Sequence, residues 1–540
     1  MNRSERRKNL KKTKKESHNP DHSNQESVSK AIENYKLGFE KQQENKLDQA
    51  IRYYREAIVL QPHFLEAHNN LGNLLRKIGK SDEAESCLKK GLEIDPNNVI
   101  LNNNLATVYN EKGRIKEAIT ILNKTIAIDP KYFDAKNNLL FCLMADGRIE
   151  DATKFAKGLQ KEFPENAEVY NNLGIILFKA NNIEEAIEQY KKAIQLQENH
   201  SEAHCNMGIA LTVCGSKGAE VHLKKATEYY PGNHKAYNAL GNFLVEEKRF
   251  DEAIKAYRKA IELRPSFSEA LNGIGNAYLR KQKYEKALYA LNECISSDPL
   301  HKRALAYKEI SLNELGRKEE ALLITNLETD IFLTSIAKDK DNSEDIEAFN
   351  NKLATELLAH NSLTQEPLHK TTKNGKQTGL LMESAGTTLQ SLISKINFKI
   401  EEYLKNFSIN KNRPHHQSKP IKYYLSIWGT VLENAGHQEP HIHTDGWLSG
   451  VYYVRIPKSI ENDKENRGCI EFGKPGYDIP YSYEPSTKTI LPTSGMLLLF
   501  PSHLFHRTIP LKTNEIRISV AFDVIPVSYT HLTLPTSDLV

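Results

Sequence analysis

His441-Ile442-His443-Thr444-Asp445 places three potential metal ligands within five residues, at the mouth of a predicted strand. In extended backbone, side chains two apart point to one face. His443 and Asp445 therefore project together, and His506 from a neighbouring strand is the natural third ligand. Two histidines and a carboxylate hold a metal on one face and leave positions open for substrate and dioxygen. His503 competes with His506 from the same loop, whereas His415, His416 and His437 read as loop histidines.

Strands must position these groups. Ile421 to Val431, Ser449 to Ile456, Gly468 to Phe472, Gly495 to Phe500 and Ile516 to Val524 are short, β-branched or aromatic, and separated by Gly, Pro, Asn and Ser clusters. Such a set predicts a double-sheet jelly roll. His506 and Arg517 are equidistant from Leu511-Lys512, so a hairpin turning there would set them opposite each other. Two helical patterns precede the strands, Ile346 to His360 and Thr387 to Asn406. The polar run Thr372 to Thr378 between them reads as a connecting loop.

Upstream, the chain repeats itself every 34 residues, and a period of that length implies stacked helix pairs. A small residue recurs at Gly38, Gly72, Ala106, Gly174, Gly208, Gly241 and Gly275. Alanine recurs at Ala50, Ala84, Ala118, Ala152, Ala186, Ala253 and Ala287, and a proline such as Pro62 or Pro96 closes most units. Small residues let paired helices approach closely, and neighbouring units then share one core. Eight units are expected, with a ninth half-unit around Ala321 and an irregular sixth near Gly215 to Ala219. Asn70, Asn104, Asn138, Asn172 and Asn206 occupy one repeat position. A ladder of amides can pair with the backbone of an extended peptide. Capping or bonding between repeats is the alternative use of the same residues.

The predicted architecture is multidomain: an α-solenoid over residues 30–326, a linker over 327–344 and a β domain over 345–527, the solenoid and β domain being separate folding units. Residues 1–29 read as a disordered basic tail, which either attracts an acidic surface or is simply solvated. Residues 528–540 read as a non-native appendage and carry no site. A net charge of +4 over 540 residues is too small to argue for nucleic acid. No apolar run is long enough to cross a bilayer. The six cysteines show no CxxC pairing, which fits a reducing, cytoplasmic setting without disulfides.

The repeat residues resemble tetratricopeptide repeats, and the resemblance places the Asn ladder on the inner face of the superhelix. A similar ladder occurs in the repeat domain of protein O-linked N-acetylglucosamine transferases. In the β domain, His441 to Val454, Gly468 to Phe472, Pro492 to Ser502, His506 and Arg517-Ile518-Ser519 resemble the iron(II)- and 2-oxoglutarate-dependent oxygenases. That resemblance implies Fe(II), 2-oxoglutarate and O2 as cofactor and cosubstrates. It assigns His443, Asp445 and His506 to the metal, and Arg517 with Ser519 to the far carboxylate of 2-oxoglutarate. It takes the histidine at the end of the Phe-Pro-Ser loop, His506, over His503. It also keeps His441 as a rival ligand, because members of this branch vary the residue at position 445. The expected activity is hydroxylation of a protein or peptide held on the concave solenoid surface. The alternatives are a small-molecule or glycan oxygenase recruited through its repeats, and a scaffold without turnover.

Overall fold

The computed structural model describes residues 20–336, 346–365, 371–381, 385–417, 419–461 and 463–526. The basic run before residue 20, the charged stretch 338–345 and the tail 528–540 lie outside the described residues. Contacts group the chain into two compact units, divided between Pro164 and Glu165.

The first unit is four helix pairs, Pro20–Gln43 with Leu47–Leu60, Leu65–Lys77 with Ser81–Ile94, Val99–Glu111 with Ile115–Ile128, and Phe133–Ala145 with Ile149–Glu162. The recurrent glycines do what their spacing implied. A Cβ on Gly38 would stand 2.8 Å from the Tyr54 ring, and one on Gly72 would stand 2.7 Å from Leu88. The recurrent alanines Ala50, Ala84, Ala118 and Ala152 are fully buried beside them. The first helix begins at Pro20, so residues 20–29 are helical rather than part of a disordered tail. Proline suits a first helical turn, Glu26 pairs with Lys30 one turn on, and the Ser27 hydroxyl donates to the Leu60 carbonyl at 2.9 Å.

The second unit opens with five more pairs, from Ala167–Lys179 with Ile183–Leu196 to Lys302–Glu314 with the short Lys318–Ile324. The sixth repeat is irregular, as its length implied: its second helix, Ala219–Tyr229, has 11 residues against 14 in the second helix of the preceding repeat, Ile183–Leu196. Gly215 and Gly218 turn the chain there with φ of 61° and 98°, which glycine adopts without strain.

An antiparallel sheet follows, of β1 (Phe332–Ser335), β2 (Thr364–Gln365), β3 (Thr372–Gln377), β4 (Tyr423–His441), β5 (Leu448–Arg455), β6 (Ile470–Phe472), β7 (Lys488–Ile490), β8 (Met496–Pro501), β9 (His506–Thr508) and β10 (Arg517–Pro526). Its order is β1-β8-β5-β10-β4-β9-β6-β7, with β3 on β4 and β2 on β3, and it curls into a jelly roll. Helices Ile346–Leu358 and Thr387–Asn406 cover one face, burying Leu353, Leu357, Leu392, Ile396 and Ile400 against Ile427, Tyr452, Val520 and Phe522. The opposite face encloses Val451, Tyr453, Phe472, Leu498 and Phe500.

Three expectations change. The expected loop 372–378 is largely strand β3, because its backbone pairs with β4 between Thr430 and Gln438. No β9–β10 hairpin sets His506 opposite Arg517: β4 lies between those strands, with His441 across from His506 and Leu432 across from Arg517. The repeats and the sheet are not separate folding units either. Ile442, Ile479 and Phe505 share one apolar cluster with Leu271, Leu279, Leu291, Tyr307 and Ile310 of the last repeats.

Candidate metal centre

β4 ends at His441, and pairing with β9 sets that residue across from His506. Beyond the strand, the His443 N–H donates to the Ser502 carbonyl at 2.9 Å, which brings the third imidazole to the other two. The ring centroids are 5.2 Å (His441–His443), 4.3 Å (His441–His506) and 5.0 Å (His443–His506) apart. One nitrogen from each ring lies within 4.8 Å of the others, a spacing that can hold a metal ion.

Each ring is oriented by its Nδ1. The His441 Nδ1 contacts the Glu439 carbonyl at 2.7 Å, the His506 Nδ1 the Leu504 carbonyl at 3.0 Å, and the His443 Nδ1 the Asp523 carboxylate at 2.6 Å. A carbonyl or carboxylate oxygen only accepts, so each Nδ1 carries the hydrogen and each Nε2 keeps its lone pair. Burial, reinforced by the neighbouring rings, lowers the pKa of His441 to about 3 and that of His506 well below its ordinary value. Both rings are neutral at physiological pH, the form a metal requires.

Asp445 does not join this group. It is exposed, and its carboxylate takes only a 3.4 Å contact from the Thr444 hydroxyl. The structure groups His441, the rival ligand, with His443 and His506 and leaves the carboxylate of Asp445 outside that group. The physical reason is that regular alternation stops at the end of β4, so the two-apart rule no longer carries from residue 443 to 445. His503 faces away, its Nε2 near the Ile324 carbonyl at 3.2 Å. His415 stacks on Trp447 at 4.5 Å, and His437 is a strand residue of β4 rather than a loop histidine, paired with Lys373 and with its Nδ1 3.0 Å from the Ala435 carbonyl.

The same side of the sheet carries the second predicted group. Ile518, Val520, Phe522 and Val524 of β10 face the covering helices, so Arg517, Ser519 and Asp523 face the other way. Arg517 is fully buried, with its guanidinium carbon 5.0 Å from the Tyr453 ring centre. Its Nε and Nη1, the Tyr453 hydroxyl and the hydroxyl of Thr430, which pairs with Ser519 across the strands, have no partner in good hydrogen-bonding geometry among the described residues, although Arg517 and Tyr453 influence each other electrostatically. A buried cation with unmatched donors is costly unless an anion completes it. A carboxylate fits that requirement, and Arg517 presents the fork to bind it.

The Asn ladder is engaged within the solenoid. In the first unit the Asn104 amide donates to Asn69, Asn69 donates to Asn70, Asn70 donates to the Tyr35 hydroxyl at 3.0 Å, and Asn138 donates to Asn103 at 2.8 Å. In the second, Asn206 donates to Asn171 at 2.9 Å and Asn171 to Asn172 at 3.4 Å. The Asn104–Asn69, Asn70–Tyr35, Asn138–Asn103 and Asn206–Asn171 bonds run between repeats, the alternative use of these residues. Asp523 and Thr430 had no assigned role in the sequence reading. Asp523 left one signal, a lone carboxylate inside the apolar run of β10.

All six cysteines are unpaired. Among the described residues no helix is long and apolar enough to cross a membrane. Residues 426–523 match the family described as "Putative 2OG-Fe(II) oxygenase". Tetratricopeptide-repeat families match residues 41–79 and 241–282, 65–98 and 167–200, 82–140 and 109–171, and 268–299. Among solved structures the chain is similar to the APC/C hetero-tetramer Cut9-Hcn1, with 17% identity over 49% of this chain and 53% of that one and a TM-score of 0.40. It thus spans about half the length of that match. It is also similar to MamA 41-end from Desulfovibrio magneticus RS-1, with 20% identity over 31% of this chain and 96% of that one and a TM-score of 0.27. No curated protein matches it. The chain thus carries tetratricopeptide repeats within residues 41–200 and 241–299 and, at 426–523, a region that matches the "Putative 2OG-Fe(II) oxygenase" family.

Proposed function

We propose that this protein is an iron(II)- and 2-oxoglutarate-dependent dioxygenase that hydroxylates a protein or peptide side chain. The observation that carries this reading is the convergence of three imidazoles whose Nδ1 atoms are all committed elsewhere, on the same side of a sheet as a buried, incompletely bonded Arg517. His441, His443 and His506 would hold the iron, and Arg517 with Ser519 would bind the far carboxylate of 2-oxoglutarate. Bound together, the metal and cosubstrate supply oxidation of a C–H bond by O2, with 2-oxoglutarate converted to succinate and carbon dioxide. The chain's own residues orient the ligands, bury the site and fix the cosubstrate's direction.

A polypeptide substrate is favoured by the repeats, a class typical of protein–protein interaction, and by their shared core with the residues beside the ligands. Ile442 lies between two ligands and Phe505 precedes the third, so whatever loads the last repeats loads the frame of the metal centre. One observation supports a second reading, a smaller substrate with the repeats used for recruitment: Asn104, Asn138 and Asn206 of the ladder each commit an amide N–H to the neighbouring repeat. Succinate release distinguishes the two. Turnover stimulated by a peptide pool supports the first, whereas turnover of small molecules that survives blocking of the repeats supports the second.

A further inference from the structure

The three ligand rings are not held alike. His441 and His506 donate to neutral backbone carbonyls, whereas His443 donates to a carboxylate, that of Asp523, at 2.6 Å. This carboxylate is itself anchored. The Ser449 hydroxyl donates to the same Asp523 oxygen at 2.6 Å, and Ser449 bonds Ser502 through their hydroxyls at 2.8 Å. Ser502 in turn accepts the backbone N–H of His443 at 2.9 Å, closing a ring of contacts around that one ligand. Ser449 and Ser502 are fully buried, and Asp523 is 7% exposed. Gly446 lets the chain pass over the network, since a Cβ there would stand 2.5 Å from the Ser502 hydroxyl and 3.2 Å from the Asp523 side chain.

From this asymmetry we infer that Asp523 is the positioning residue of the metal centre, supplying through His443 the negative charge that a direct carboxylate ligand would otherwise bring. The inference rests on the three-histidine reading proposed above. Three neutral imidazoles leave the full charge of a divalent ion uncompensated in a buried cup. A carboxylate one hydrogen bond behind a ligand offsets part of that charge, fixes the Nδ1–H tautomer and makes Nε2 a stronger donor. Asp445, with its carboxylate exposed, offers no such help. Ser449 and Ser502 fix the position of Asp523 and leave its charge unchanged.

The test uses the full chain with cobalt(II) as an optical probe. Asp523→Asn keeps shape and removes charge, and is expected to lower cobalt affinity by about 10- to 100-fold. It should also shift the ligand-field absorption of the bound cobalt, because an amide facing Nδ1 no longer enforces one tautomer. Asp523→Glu should restore the wild-type spectrum in part, which a role in folding alone would not require. Ser449→Ala, which leaves the carboxylate in place, should weaken binding only several-fold, and serves if Asp523→Asn does not fold. Unchanged affinity and an unchanged spectrum in Asp523→Asn would overturn the inference, as would equal losses in Asp523→Glu and Asp523→Asn. In Ser449→Ala, a loss as large as that of a deleted ligand would overturn it too. Failure of the underlying reading looks different: cobalt would then bind normally to His441→Ala and His506→Ala.

Discussion

The metal cup and the Arg517 pocket are both buried and lie on one side of one sheet, yet their polar atoms are treated in opposite ways. In the cup, each ring nitrogen turned away from the centre already has an acceptor, at 2.7, 3.0 and 2.6 Å. In the pocket, two guanidinium nitrogens and two hydroxyls have none in good geometry among the described residues. On the proposed function, the difference follows from what each would bind. A metal needs neutral donors aimed in advance, so the protein completes everything except the lone pairs. A carboxylate brings its own charge, so the protein leaves a cation unfinished and the ligand completes it.

The comparison breaks first if the cup is misassigned. His441→Ala should lower iron(II) affinity more than about 100-fold, exceeding the effect of losing an orienting partner, whereas Asp445→Ala should change it by about twofold at most, as for other exposed positions. Anaerobic titration decides; the reverse ranking would restore Asp445 as the ligand. The next effect belongs to the pocket. Arg517→Met should weaken 2-oxoglutarate by roughly 30-fold or more, from about 2 to 5 kcal/mol for a lost buried charge pair, with iron affinity unchanged. The same substitution should leave the ligand-free melting temperature equal or higher, since an unmatched buried cation is replaced by apolar bulk. A lower melting temperature would mean that Arg517 is structural.

By the criterion of used donors, the Asn rungs belong with the cup. Replacing Asn104 and Asn138 by Ala should cost about 1 to 3 kcal/mol and lower the melting temperature by roughly 5 °C, while 2-oxoglutarate binding stays constant. Wild-type melting combined with impaired turnover of a protein substrate would instead make the rungs peptide contacts. The smallest effect is at Tyr453, where Phe should weaken 2-oxoglutarate several-fold, for about 1 kcal/mol. Equal affinity would remove its hydroxyl from the pocket.

The helices were legible because a 34-residue period and buried small residues leave one solution: Gly72 against Leu88 is already implied by their spacing. Helix Thr387–Asn406 was equally open, its apolar stripe becoming the buried Leu389, Leu392, Ile396 and Ile400. Strand β3 was not, because Thr372–Gln377 is polar and turn-like, and only pairing with β4 makes it extended. The ligand set was half legible. Alternation relates His443 to residue 441 as readily as to 445, and what brings residue 441 to His506 is their pairing across the strands. No short-range pattern contains that register.

Ile442, wedged among Leu271, Leu279, Leu291 and Ile310, also determines where the chain can be cut. The loss of the 34-residue period suggests a boundary near residue 345, but a fragment starting there would expose Ile442, Ile479 and Phe505 to water and unseat the backbone on both sides of the ligands. A fragment starting at Glu165 keeps that cluster whole. The smallest piece expected to bind metal is therefore not the oxygenase domain alone but that domain with the repeats behind it.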